Sequence, residues 1–236
     1  MKLRLVLFAL GVAMAGHAST IILAATGAPT TDENGNYGST NATHNGFITA
    51  TIGGIANQMI VCDDFTHTTS VPSGNMVYDF STLGGPNQLQ NVRFTGANEV
   101  TNYDEAAVLL AGLYAYEATY GSNASGDTIT DFQYAIWNIF DPYNPSTNPG
   151  GVKVNSNQSA LQSGALYMMS TQAAMLSADV YPFIKIYTPD PEGGSASNQE
   201  FMQYIVPEPP TALFLLGTGL VAGAVLTRRQ LRKERD

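Results

Sequence analysis

Thr128-Ile129-Thr130-Asp131-Phe132-Gln133-Tyr134-Ala135-Ile136-Trp137-Asn138-Ile139-Phe140 reads as an amphipathic helix with one residue out of place. Thr128 is a good N-cap and Asp131 stands three residues on, the pattern of a capped start. At about 100° per residue, Ile129, Phe132, Gln133, Ile136, Trp137, Ile139 and Phe140 fall on one side. Thr130, Asp131, Tyr134, Ala135 and Asn138 fall on the other. The pattern turns Gln133 into the core beside Trp137 and Phe140, which are assigned to packing. A buried primary amide without partners costs about 1–3 kcal/mol, so Gln133 must be hydrogen-bonded or chemically altered. The reactive partner the chain offers is its one cysteine, Cys62.

Upstream of this helix the sequence reads mainly as strands. Thr20 to Leu23 is β-prone, Thr26 to Asn45 is a polar Gly- and Asn-rich loop, and Phe47 to Ile52 alternates as a half-buried strand does, broken by Gly53-Gly54. Met59 to Phe65 is the next strand, with Ile60, Cys62 and Asp64 on one face and Cys62 in its middle. Pro72 to Asn75 turns into Met76 to Leu83, expected as its hairpin partner, and Val92 to Thr95 reads as a further short strand. Asn102 or Asp104 caps a helix running to about Tyr120. After the glutamine helix, Gln158 to Asp179 reads as a third helix whose Met168, Met169 and Met175 fill core space. Tyr181 to Tyr187 and Phe201 to Ile205 are late strands. Strands, then helices, then strands define an α+β fold, with a helical portion inserted into one antiparallel β-sheet or barrel.

The two ends are of a different kind. Lys2 and Arg4 precede an apolar run, Leu5 to Ala15, closed by the small-x-small site Gly16-His17-Ala18, so residues 1–18 read as a signal peptide removed by signal peptidase, with the later triplet Ala25-Thr26-Gly27 as the alternative site. At the other end, Val206-Pro207-Glu208-Pro209 leads into the apolar run Ala212 to Leu226 and then Arg228, Arg229, Arg232, Lys233 and Arg235. Such a run makes a short transmembrane helix of about 22 Å, with the basic residues on the cytoplasmic side. Between these signals, residues 19–205 are long enough for one domain with its own core. This ectodomain carries only Arg93, Lys153 and Lys185 against 16 acidic residues, a balance that argues against a nucleic-acid partner. No Gly-rich phosphate loop, zinc-spaced Cys/His set or helical His-Glu-x-x-His occurs, so neither cofactor nor metal is expected.

The C-terminal segment, residues 206–236, resembles the PEP-CTERM sorting signal of Gram-negative bacteria in Val206-Pro207-Glu208-Pro209, the short helix and Arg228-Arg229, in that order. The resemblance implies recognition by an exosortase, an inner-membrane intermediate, and delivery to the cell surface or the extracellular polysaccharide matrix. Val61-Cys62-Asp63-Asp64-Phe65 with Phe132-Gln133-Tyr134-Ala135-Ile136-Trp137 resembles the thioester-domain family of bacterial surface proteins over about Phe47 to Ile205. Asp63 and Phe132 stand where the better-studied pattern has an aromatic after the cysteine and a threonine before the glutamine. That resemblance implies an internal thioester between the Cys62 thiol and the Gln133 acyl group. A surface protein or polysaccharide would be captured once, in adhesion rather than in enzymatic turnover. His67, five residues after Cys62, reads either as a general base or as a polar residue at a strand end. Two other classes stay open. One is a structural biofilm-matrix protein with a free thiol; the other is a cysteine hydrolase on Cys62 and His67, which the acidic neighbours Asp63 and Asp64 disfavour.

Overall fold

The structure is a computed structural model that describes residues 19–26, 47–67, 69, 73–84, 88–120, 126–190 and 197–205. The expected signal peptide, the sorting segment and most of the polar loop before Phe47 lie outside the described residues. Among those described, no helix is long and apolar enough to cross a membrane, and no group of three or more His, Cys, Asp or Glu is placed to hold a metal ion.

The alternation in β2 (Phe47–Ile52) sets the first hairpin, burying Ile48, Ala50 and Ile52 on one face. Gly53 and Gly54 follow at φ 57° and 84°, the left-handed pair that a tight two-residue turn requires, and lead into β3 (Ile55–Cys62). β1 (Ser19–Thr26) pairs with β2 and with β4 (Met76–Thr82). β5 (Ile184–Pro189) lies between β4 and β6 (Phe201–Tyr204), and β6 returns to β3. All six pairings are antiparallel and the order β1-β2-β3-β6-β5-β4 closes into a barrel, so no sheet edge is left. Between β4 and β5 the chain forms α1 (Glu99–Tyr120), α2 (Gly126–Phe140), α3 (Ser156–Thr171) and α4 (Ala173–Asp179). The α+β expectation, an antiparallel barrel with a helical insertion, therefore holds.

Several local expectations do not. β4 is no hairpin partner of β3, because it pairs with β1 and β5. β3 stops at Cys62, where Asp64 folds the chain into a turn, so the cysteine ends the strand instead of sitting mid-strand. Val92 to Thr95 is irregular, with a bend at Arg93 and Phe94, and the third helix breaks at Gln172, whose φ −129° and ψ 27° leave helical space. The break leaves Met175 39% exposed, whereas Met168 and Met169 pack on the core as expected.

Two cores result. Inside the barrel lie Ile21, Leu23, Ile48, Ile60, Cys62, Tyr78 and Phe201. Between the barrel wall and the helices lie Val61, Ile186 and Met202 with Leu109, Leu110 and Leu113 of α1. α2 serves both: Tyr134 and Trp137 join the barrel core, and Ala135 and Ile136 join the other. It is thus buried without interruption from Gln133 to Trp137, not along one stripe.

After α2 the segment from Asp141 folds back on itself, with Val152 N donating to Asp141 O at 2.8 Å and Tyr143 N to Val152 O at 3.1 Å. This seats Val152, fully buried, against the barrel core. A Cβ on Gly151 would meet Pro142 O at 2.7 Å, a backbone atom that cannot swing away. Gly151→Ala is therefore expected to lower stability by about 1–3 kcal/mol in urea titration. An unchanged midpoint would show that the loop yields.

Candidate functional site

β3 delivers Cys62 to the barrel core because strand alternation sends Val61, the residue before it, to the helical side. Cys62 pairs with Phe201 of β6 in the ladder, and its side chain is 2% exposed. From α2, Gln133 is fully buried and donates Nε2 to Cys62 O at 2.5 Å. The sequence-predicted pair, 71 residues apart, is thus brought together at the end of one strand. The Cys62 thiol donates from Sγ to Asp64 O at 3.1 Å, which turns the sulfur back over its own strand end.

Asp64 builds that turn. Its Oδ1 accepts from Thr66 N (3.0 Å), Thr66 Oγ1 (2.8 Å) and His67 N (3.2 Å), while Oδ2 accepts from the Arg93 guanidinium. Arg93 also donates to Asn198 O at 2.7 Å, and Gln199 Nε2 donates to Asp64 O at 2.9 Å, so the turn is tied to the strand entering β6. Burial alone would raise the Asp64 carboxyl; donation from His67, Thr66 and Arg93 outweighs it and holds the group below its ordinary value. His67 Nδ1 lies 2.9 Å from Asp64 Oδ2, and its partners are Asp64 and Thr66 rather than the Cys62 sulfur.

Asp63 faces the other way, into a second polar cluster under α1. Glu200 receives Tyr103 Oη at 2.5 Å and Thr188 Oγ1 at 2.5 Å in buried surroundings, and Arg93 N at 2.9 Å in a part-buried one. Among the described residues, none gives either Asp63 oxygen a donor. Burial first, then the Glu200 and Asp64 charges, push the Asp63 carboxyl well above its usual range. Glu200 is itself raised by burial, against the lowering effect of its hydrogen bonds with Thr188, Tyr103 and Arg93.

The thiol responds to both aspartates. Burial, then Asp63 and Asp64, push Cys62 well above the ordinary thiol value, against a smaller lowering from the Asp64 backbone and the Trp137 side chain. Such a sulfur is sheltered from solvent, and its surroundings disfavour the thiolate. A cavity of about 740 Å³ between α1, α2 and α3, lined by Leu109, Phe132, Leu161 and Met168 among others, does not include Cys62 or Gln133.

The sequence singles out Cys62, Gln133 and His67, of which His67 sits in the Asp64 turn, and it does not single out Arg93, Glu200 or Tyr103. For Arg93 there was a signal, since it is one of three cations in residues 19–205.

Fold and site together define a closed antiparallel barrel with a helical insertion, in which one buried carboxamide donates to the backbone carbonyl of one buried cysteine at a strand end. Residues 206–230 match the PEP-CTERM protein-sorting motif, which implies export to the surface and processing by an exosortase. Among solved structures the chain is similar to the N-terminal domain of the Streptococcus pyogenes pilus tip adhesin Cpa, at 14% identity and TM-score 0.44, covering 83% of this chain and 97% of that one. It is also similar to the N-terminal thioester domain of a surface protein from Clostridium perfringens, at 13% identity and TM-score 0.38, covering 79% and 98%. No curated protein matches the chain.

Proposed function

We propose that this is an exported adhesion or linking module of the cell surface or extracellular matrix, in which Cys62 and Gln133 form an internal thioester that captures one nucleophile. The observation that carries the reading is the Gln133 carboxamide held 2.5 Å from Cys62 O, with both residues buried. In forming the bond the sulfur attacks the Gln133 side-chain carbonyl, an S–C bond replaces the C–N bond, and the thiol proton leaves with the nitrogen as ammonia. Burial then keeps water from the electrophilic acyl carbon. An amine or hydroxyl of a surface protein or polysaccharide would displace the sulfur, leaving Gln133 in an amide or ester tether and Cys62 as a thiol. Each molecule reacts once, so the protein is not an enzyme. His67, engaged through Nδ1 by Asp64, is assigned to the turn and not to proton transfer.

Intact-mass measurement of the purified ectodomain tests this. The mass should be short by one ammonia, should regain mass by one methylamine on treatment with that amine, and should be unmodified in Cys62→Ala. Full mass in fresh wild-type protein would leave the second reading, a structural matrix protein without the bond. The thiol donated to Asp64 O, with its raised pKa, is the observation that favours that alternative.

A further inference from the structure

α2 sets Gln133 and Trp137 one turn apart, so that both face the end of β3. The carboxamide of Gln133 is directed to Cys62 O. Trp137 is 2% exposed, and its ring is fixed between Phe65 (centroids 5.2 Å apart) and Tyr134 (5.3 Å). Its indole N–H can only donate, yet it is buried with no acceptor in hydrogen-bonding geometry among the described residues. Folding an unmade donor into a core is unfavourable, so its place asks for a reason. Trp137 packs in the same buried cluster as Cys62, and its N–H favours the ionised form of that sulfur against burial and the Asp63 and Asp64 charges. A thiol is a weak acceptor, whereas a thiolate is a strong one. The donor is therefore idle while the sulfur holds its proton and gains a partner when charge develops there.

We propose that Trp137 is a catalytic residue of the Cys62–Gln133 reaction, its indole N–H donating to the sulfur whenever that atom carries negative charge. The proposal rests on the thioester reading and adds a role to it. During bond formation the charged sulfur is the nucleophile: it gains the acyl carbon, and its proton departs with the amide nitrogen as ammonia. During capture it is the leaving group: the incoming nitrogen or oxygen bonds to the acyl carbon, the S–C bond breaks, and the sulfur takes up the proton that the nucleophile gives up. One pre-placed donor serves both steps without reorganising.

Trp137 is the chain's single tryptophan, so biosynthetic replacement of tryptophan by benzothienylalanine changes this position alone. The analogue keeps the ring shape and lacks the N–H. Methylamine capture should slow about 100-fold, the scale for losing one pre-organised donor, with thermal melting unchanged. The thiolate absorbance of the freed sulfur, taken as a difference from the matching Cys62→Ala protein, should rise at higher pH than in the tryptophan protein. Trp137→Phe carries the same readouts if the labelled protein does not fold. Capture at the wild-type rate with an unmoved thiolate edge would overturn the proposal. If even the tryptophan protein keeps its full mass, the thioester reading fails on its own. The thiolate edge then decides whether the N–H acts on the sulfur: no shift overturns that role, and a shift upholds it.

Discussion

Arg93→Ala is expected to lower the unfolding free energy by about 3–5 kcal/mol, the usual consequence of removing one partner of a buried ion pair. The Asp64 side chain is fully buried and that of Arg93 is 15% exposed, so water cannot take the place of the lost guanidinium. The same guanidinium donates to Asn198 O at 2.7 Å, which joins the Asp64 turn to the segment entering β6. Thr66 and His67 would still donate to Asp64, but a buried carboxylate would be left without its cation. The sign with pH follows from the depressed Asp64 value. A carboxyl lowered on folding stabilises the protein above its unfolded value and loses that contribution as pH falls through the folded one. The deficit of Arg93→Ala should thus be full at neutral pH and shrink in acid. Adding Asp64→Asn should recover part of it, since no charge then remains unpaired. A loss below about 1 kcal/mol in urea titration would mean that the pair behaves as a surface contact.

The reach of the sequence is seen in α2 and its limit in the polar clusters. A period of 3.6 was enough to place Gln133 inward, and Gln133 is fully buried. The same period put Tyr134 and Ala135 outward, where they are 2% and 0% exposed, because the helix is wedged between two cores and has no free side from Gln133 to Trp137. Adjacent strands were read as a hairpin from chain order, but β4 joins β1 and β5. Barrel closure is a non-local event that no turn signal announces. Arg93 lies 29 residues from Asp64, and Tyr103 lies 97 from Glu200, so periodicity could not pair them. Composition alone hinted at them: a chain poor in cations has few ways to bury a carboxylate.

Glu200→Ala is expected to cost about 3–5 kcal/mol, because one fully buried side chain accepts from three donors at once. Tyr103 Oη of α1, Thr188 Oγ1 of β5 and Arg93 N would all lose their acceptor, and the cavity adds to the deficit. The pair it forms with Asp63 also fixes a pH dependence of opposite sign to that of Asp64. Both carboxyls are raised on folding, Asp63 by burial and the Glu200 charge, Glu200 by burial. The folded protein therefore holds a proton that the unfolded chain releases above about pH 4. Their contribution is complete below that value and is lost as pH rises toward the raised one. Asp104 and Glu105 of α1, raised by burial to about 6 and about 7, act in the same direction, so the wild-type slope alone does not isolate the pair. Asp63→Asn does, because it offers Glu200 an N–H donor without needing a proton. It should gain stability relative to wild type as pH rises from 5 to 8 and lose that advantage toward pH 4. A constant difference across that range would mean that Asp63 is already ionised in the fold. The Glu200 cluster would then rest on Tyr103, Thr188 and Arg93 alone.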